Sequence, residues 1–159
     1  MTDSKHFIVE ANVDKINTIA WNQEIEQERK SAVFDLLNNG KFKIYDKNKT
    51  GPYKINIKLI EWKLILTVND LFDDSITELK VAISSVRRII RDYQIVCDNY
   101  VEAIKTAPLK KIEAIDIGRR TIHDEGAETL LDAFQEKVEL DIGTARRLFT
   151  LISIISLKI

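Results

Sequence analysis

The 159-residue chain reads as an α+β protein. The expected architecture is an antiparallel three-stranded meander, open to a fourth strand from the N-terminus, covered by a helical C-terminal half. Three observations predict it. Between residues 53 and 83 apolar and polar side chains alternate with the period of a strand. From Ser84 onward the apolar residues recur with the period of a helix. Strands and helices are segregated along the chain, which favours α+β over a parallel α/β sheet.

Residues 6–13 alternate loosely and read as a short strand. Residues 22–39 carry Ile25, Ala32, Val33, Leu36 and Leu37 at helical spacing, and Gly40 follows as a stop signal. The outer face of that helix places Glu24, Glu26 and Glu28 ahead of Arg29 and Lys30, in the sense the helix dipole favours. Residues 41–50 are polar and lysine-rich, and Gly51-Pro52 marks a turn. Tyr53, Ile55, Ile57 and Leu59 then alternate with Lys54, Asn56 and Lys58. Leu64, Leu66 and Val68 follow across a short link at Glu61, which predicts an antiparallel hairpin. Leu79, Val81 and Ile83 form the third strand of the meander.

In residues 85–106, Val86, Ile89, Ile90, Tyr93, Cys97, Tyr100, Val101 and Ile104 make one broad apolar stripe, and Pro108 ends that helix. Residues 109–122 form another helix. Asp124-Glu125-Gly126 predicts a break, with Asp124 as the N-cap of a further helix to Lys137. Asp141 caps the last helix, which runs to about Leu157. That helix is apolar nearly all round from Leu148 to Leu157, so it is either the central core helix or half of a homodimer contact, the core ranking first.

Composition narrows the function classes. The chain is 45% hydrophobic and 31% charged, with a net charge of -1. This suits one domain over residues 1–159 and supplies no global basic field for nucleic acid. The single cysteine, Cys97, excludes an internal disulfide and a cysteine-cluster metal site, and it reads as core filler. Residues 1–10 lack the apolar core of a signal peptide, and the most apolar run is too short to span a membrane. A cytoplasmic protein with no membrane association, no metal and no cofactor is expected.

The basic residues are unevenly distributed. Residues 1–80 hold 11 Lys and one Arg, whereas residues 81–159 hold five Lys and seven Arg. Six arginines form doublets, Arg87-Arg88, Arg119-Arg120 and Arg146-Arg147, and Arg91 lies one turn after Arg87. Lysine and arginine serve equally as solvated charge but differ where a planar fork must grip a carboxylate or phosphate. The plainer reading, ion pairs with Asp92, Asp116 and Asp141 close by in sequence, ranks first. Asp116, Arg119, Arg120 and His123 share one helical face that continues toward Asp124 and Glu125. It could bind an anion or move a proton, or form a partly buried anchoring network.

Weaker signals point less far. His123-Asp124-Glu125 contains His-x-Glu but lacks the cysteine partner motif of the zinc deaminases. Residues 41–63 hold seven Lys against Asp46 and Glu61, interleaved with Phe42, Tyr45, Tyr53 and Trp62. That pattern suits a nucleic-acid surface, but lysines guarding a loop and a sheet edge are the preferred reading.

Five stretches carry a resemblance: EIEQERKSAVFDLL (24–37), GPYKI (51–55), RRIIRDY (87–93), EAIDIGRRTIHDEG (113–126) and TARRLFTL (144–151). Together they resemble a bacterial uncharacterised protein family of small, mainly alphaproteobacterial proteins. The resemblance implies a single domain of about this length and no assigned activity. The chain departs from the family pattern in carrying Asp124 where an Asn is expected.

Three functional readings follow. The first is a small binding or interaction protein whose arginine-rich helical face recognises an anionic group. The candidates are Arg87, Arg88, Arg91, Arg119, Arg120, Arg146 and Arg147. The second is an enzyme acting on a phosphorylated or carboxylated small molecule, with His123 as proton carrier and Asp116 or Glu125 orienting it. The third is a structural homo-oligomer module.

Overall fold

The computed structural model describes residues 6–13, 23–46 and 48–157. The expected helix start at Asn22, the first five residues and Lys47 lie outside the described residues. Strand β1 (Ile8–Val13) leads to helix α1 (Gln23–Asn39), which ends before Gly40 as the sequence predicts. Strands β2 (Phe42–Ile44), β3 (Tyr53–Ile60), β4 (Lys63–Asn69) and β5 (Ser75–Ala82) follow, then a 3-10 turn over Ser84–Val86. Helices α2 (Arg87–Thr106) and α3 (Leu109–Phe134), strand β6 (Val138–Leu140) and helix α4 (Ile142–Ile155) complete the chain.

The main sheet has the order β1-β3-β4-β5. The predicted meander is its antiparallel part, and β1 adds the fourth strand, parallel to β3. The alternation sets which face is wet. Tyr53, Ile55, Ile57, Leu64, Leu66, Val68, Leu79 and Val81 are buried on one face. Lys58, Lys63, Glu78 and Lys80 are exposed on the other. A slip of one residue would exchange the two sets, so the register is strongly specified.

The β3–β4 hairpin closes through Glu61 and Trp62, whose φ values are 49° and 60°. Two consecutive left-handed residues are what a two-residue hairpin turn demands, and Asn-Gly is its usual sequence. A glutamate and a tryptophan pay a steric penalty there, and the Trp62 side chain has a use described below.

Helix α4 is the centre of the molecule. It packs between α1 and α3, and α2 lies on α3. From Thr144 to Ile155 only Arg146 and Arg147 escape full burial. Asp141 caps it as predicted, its Oδ1 accepting from the Thr144 N–H at 2.9 Å. The buried polar side chains are satisfied within the turn: Ser153 Oγ donates to the Thr150 carbonyl at 2.9 Å.

Two expectations fail for physical reasons. No break occurs at residues 124–126, since α3 runs on as a 26-residue helix. A Cβ on Gly126 would sit 2.1 Å from Cε1 of Phe149, so this glycine lets α3 approach α4 rather than ending a helix. Asp124 is therefore mid-helix and is no N-cap. Its Oδ1 instead takes Arg146 Nε at 3.1 Å, a pairing the sequence reading gave to Asp141. The strands β2 and β6 were not expected. They pair antiparallel as a three-residue ribbon, Phe42 opposite Leu140 and Ile44 opposite Val138. Phe42 and Tyr53 are fully buried and meet edge to face at 5.5 Å, so two aromatics of the lysine-rich segment belong to the core.

Candidate anion-binding groove

Helix α2 opens on Arg87-Arg88, with Arg91 one turn on and no acid in its first turn. Cations at a helix N-terminus meet the positive end of the dipole, so this placement opposes local stability. Arg87 and Arg91 are four residues apart and lie on one face. That face looks into a groove of about 690 Å³ between α2, the first turns of α1 and the end of α4. The Arg87 guanidinium lies over the Trp62 ring, 5.5 Å from its centroid. The strained hairpin tip thus brings an aromatic plate to the groove, which supports the guanidinium without neutralising it.

The floor is tied down by Gln94, whose Nε2 donates to the Ser153 carbonyl at 2.9 Å and to Ser156 Oγ at 3.1 Å. This bridge joins α2 to the end of α4 and satisfies a helix-terminal carbonyl. Ile25, Ile90 and Ile154 supply apolar surface, and Glu24, Glu28, Asp98 and Glu102 supply acids along the wall. Burial raises the Glu28 carboxyl above the usual range against the opposing pull of Arg119. Cys97 and Tyr93 share a hydrogen bond, and burial pushes both upward, so the Cys97 thiol stays protonated at neutral pH.

The remaining arginines sit elsewhere and have partners. Arg119 Nε donates to Asp116 Oδ1 at 3.1 Å, and its guanidinium stacks on Tyr100 at 4.5 Å. Arg120 takes the other oxygen of Asp116 at 2.9 Å. The Arg119 hydrogen bond, helped by Arg120, holds the Asp116 carboxyl below its usual range. Arg146 pairs with Asp124, and Arg147 with Asp35 of α1 at 3.4 Å. Arg88 is exposed and does not line the groove, and it forms no ion pair with Asp92. The three doublets therefore do not converge on one point.

His123 leaves the polar face it shares in sequence with Asp116. Its ring stands edge-on to Tyr93 and Phe149, with centroids 5.3 and 5.0 Å away. Its Nε2 is 2.8 Å from Thr150 Oγ1, which in turn donates to the Arg146 carbonyl. With the hydroxyl proton on that carbonyl, the Thr150 oxygen is placed to accept from Nε2–H. Burial, with help from nearby arginines, lowers its pKa to about 4, so the imidazole is neutral at pH 7. Glu125 is exposed on the outer side of α3. Among the described residues no group of three or more His, Cys, Asp or Glu is placed to hold a metal ion, and no helix is long and apolar enough to cross a membrane. Sequence reasoning missed Gln94 and the two serines, and it read Trp62 only as an aromatic of the lysine-rich segment. Their only signal was a hairpin link without glycine and a glutamine one turn beyond Arg91.

Residues 5–158 match a family model described as "Uncharacterised protein family (UPF0262)". The chain belongs to the UPF0262 family. The match takes in every element of the fold, so the groove is built wholly from UPF0262 sequence. A UPF0262 protein of Erythrobacter litoralis is 39% identical over 159 residues, covering 98% of this chain and 99% of the relative. One from a Chelativorans species is 42% identical over 132 residues, 83% of this chain and 82% of the relative. A Brucella canis UPF0262 protein is 39% identical over the same length, with the same coverage. These alphaproteobacterial sources agree with the resemblance seen in the sequence. No solved structure matches the chain. The UPF0262 description assigns no activity, so function is argued from the groove.

Proposed function

We propose that this UPF0262 protein is a small cytoplasmic binding protein whose groove recognises an anionic group on a ligand or partner, with Arg87 and Arg91 as the recognising pair. One observation carries the reading. Arg29, Arg119, Arg120, Arg146 and Arg147 each hold a carboxylate of their own chain. Among the described residues Arg87 and Arg91 hold none, and both face the groove. A guanidinium without a counter-ion, set against an aromatic ring beside an apolar floor, is arranged to accept a carboxylate or phosphate. The acids along the wall select against ligands that are anionic throughout and favour one with a single anionic end.

Native mass spectrometry of the full chain with added phenyl phosphate, phosphoethanolamine or butyrate, each with one anionic end, tests this. The expected result is a saturable adduct in the wild type that Arg87→Gln/Arg91→Gln loses and Arg146→Gln keeps. No adduct with any of the three anions, or an equal adduct in the double variant, would overturn it.

A further inference from the structure

We propose that β5 is a self-pairing edge, so that two copies of this chain join their sheets across a two-fold axis at Leu79. Among the described residues β5 pairs only with β4, and its outward backbone N–H and C=O groups meet no partner. A long open edge invites another strand, and proteins commonly protect one with charged side chains, lysine above all. Here the charges are of opposite sign. Glu78 and Lys80 stand two residues apart on the wet face, 52% and 66% exposed, and their own contact is a loose 3.8 Å.

Symmetry and side-chain parity leave few registers. Opposite residues must face the same side of the joined sheet, so a two-fold axis falls on a residue rather than between two. An axis on Glu78 sets glutamate against glutamate, and one on Lys80 sets lysine against lysine. The axis on Leu79 sets Glu78 against the partner's Lys80 and Lys80 against the partner's Glu78, and aligns residues 77–81 of the two copies. Unlike charges directly opposite each other stabilise an antiparallel pair, and like charges oppose it. Among the registers centred on residues 78–80 the charge pattern therefore selects the one on Leu79.

The strand ends agree with it. The β4–β5 turn exposes Phe72 by 85%. It is a fixed turn, with Asp70 Oδ1 accepting from the Phe72 and Asp74 N–H groups at 2.8 and 3.0 Å. In the Leu79 register Asp74, at the end of this turn, falls opposite the partner's Ser84, where the 3-10 turn begins. The proposal leaves Arg87 and Arg91 free in the groove, so it stands or falls separately from anion binding.

Sedimentation velocity over a hundredfold concentration series tests it with the full chain. The wild type is expected to dimerise reversibly. Glu78→Lys alone and Lys80→Glu alone should each weaken the dimer by about tenfold or more, since each sets like charges together twice. An equimolar mixture of the two variants should form a heterodimer about as tight as the wild type, because complementarity returns. Recovery in the mixture separates this from misfolding, which mixing cannot repair. A wild type that stays monomeric throughout, a Glu78→Lys dimer as tight as the wild type, or a mixture no tighter than its components would overturn the proposal.

Discussion

Arg119 and Arg87 lie on neighbouring helices, and each lays its guanidinium on an aromatic ring, Tyr100 in one case and Trp62 in the other. They differ in what completes the charge. Arg119 has Asp116, shared with Arg120, on its own helix. Among the described residues Arg87 has no carboxylate, and the first turn of its helix contains no acid to supply one. The same side chain in the same stacked pose is thus a finished structural contact at the α3 surface and an open one at the start of α2. The contrast extends to the surroundings. At the α3–α4 seam Arg146 pairs with Asp124 and His123 with Thr150, and the helices touch so closely that Gly126 admits no side chain, whereas the start of α2 borders a groove.

If the α3–α4 seam is structural, its substitutions should cost stability in proportion to packing. Gly126→Ala should have the largest effect, about 3 kcal/mol or more, because a Cβ 2.1 Å from the Phe149 ring forces one helix to move. Chemical denaturation with the midpoint and slope both recorded measures it. A loss under about 1 kcal/mol would mean that the seam is loose and the contrast with the groove overstated.

Next in size is a pH effect. His123 has a folded pKa of about 4 against an ordinary 6.5. A group held neutral in the folded state contributes its full stability above the unfolded pKa and loses it as pH falls from 6.5 toward 4. The loss by the bottom of that window is up to roughly 3 kcal/mol beyond what the carboxylates contribute. Thermal melts at pH 7 and pH 4.5 should show a smaller fall in Tm for His123→Gln than for the wild type. An equal fall in both would place the imidazole outside the seam.

Much of this contrast was not visible in the sequence. The meander was legible because its alternation fills three strands, and the buried last helix because its apolar residues cover every side. The continuity of α3 was not. A glycine after Asp-Glu signals a turn and a close helix contact alike, and only Phe149, 23 residues later in the chain, decides between them. The ribbon of β2 and β6 was hidden because three residues are too few to show a period. The arginine bias was plain, but its sorting was not. Asp141 is five residues from Arg146 in sequence and Asp124 twenty-two, yet the helix cap claims Asp141 because Thr144 presents its N–H there, and Asp124 takes Arg146. Trp62 gave no sign of its role, since a hairpin link is usually read for its turn residues and not for what they face.

Smaller changes sharpen the comparison. Asp116→Asn removes the charge that both Arg119 and Arg120 share, and should lower Tm by a few degrees while leaving anion binding at the groove intact. Loss of binding in that variant would link the two sites. Gly118, eight residues before Gly126 on the same helix, has nothing within 4 Å of a built Cβ. Gly118→Ala should therefore stabilise the protein by about 0.5–1 kcal/mol through helix propensity alone. Opposite signs at the two glycines would confirm that α3 is packed at one end and solvated at the other.

The division of the arginines is tested most directly by melting two double variants side by side, with and without phenyl phosphate. The account predicts that Arg87→Gln/Arg91→Gln melts with the wild type and no longer gains stability from the anion. It predicts that Arg119→Gln/Arg120→Gln melts lower and still gains it. The reverse pattern, stability lost with Arg87 and Arg91 or the anion response lost with Arg119 and Arg120, would contradict the account.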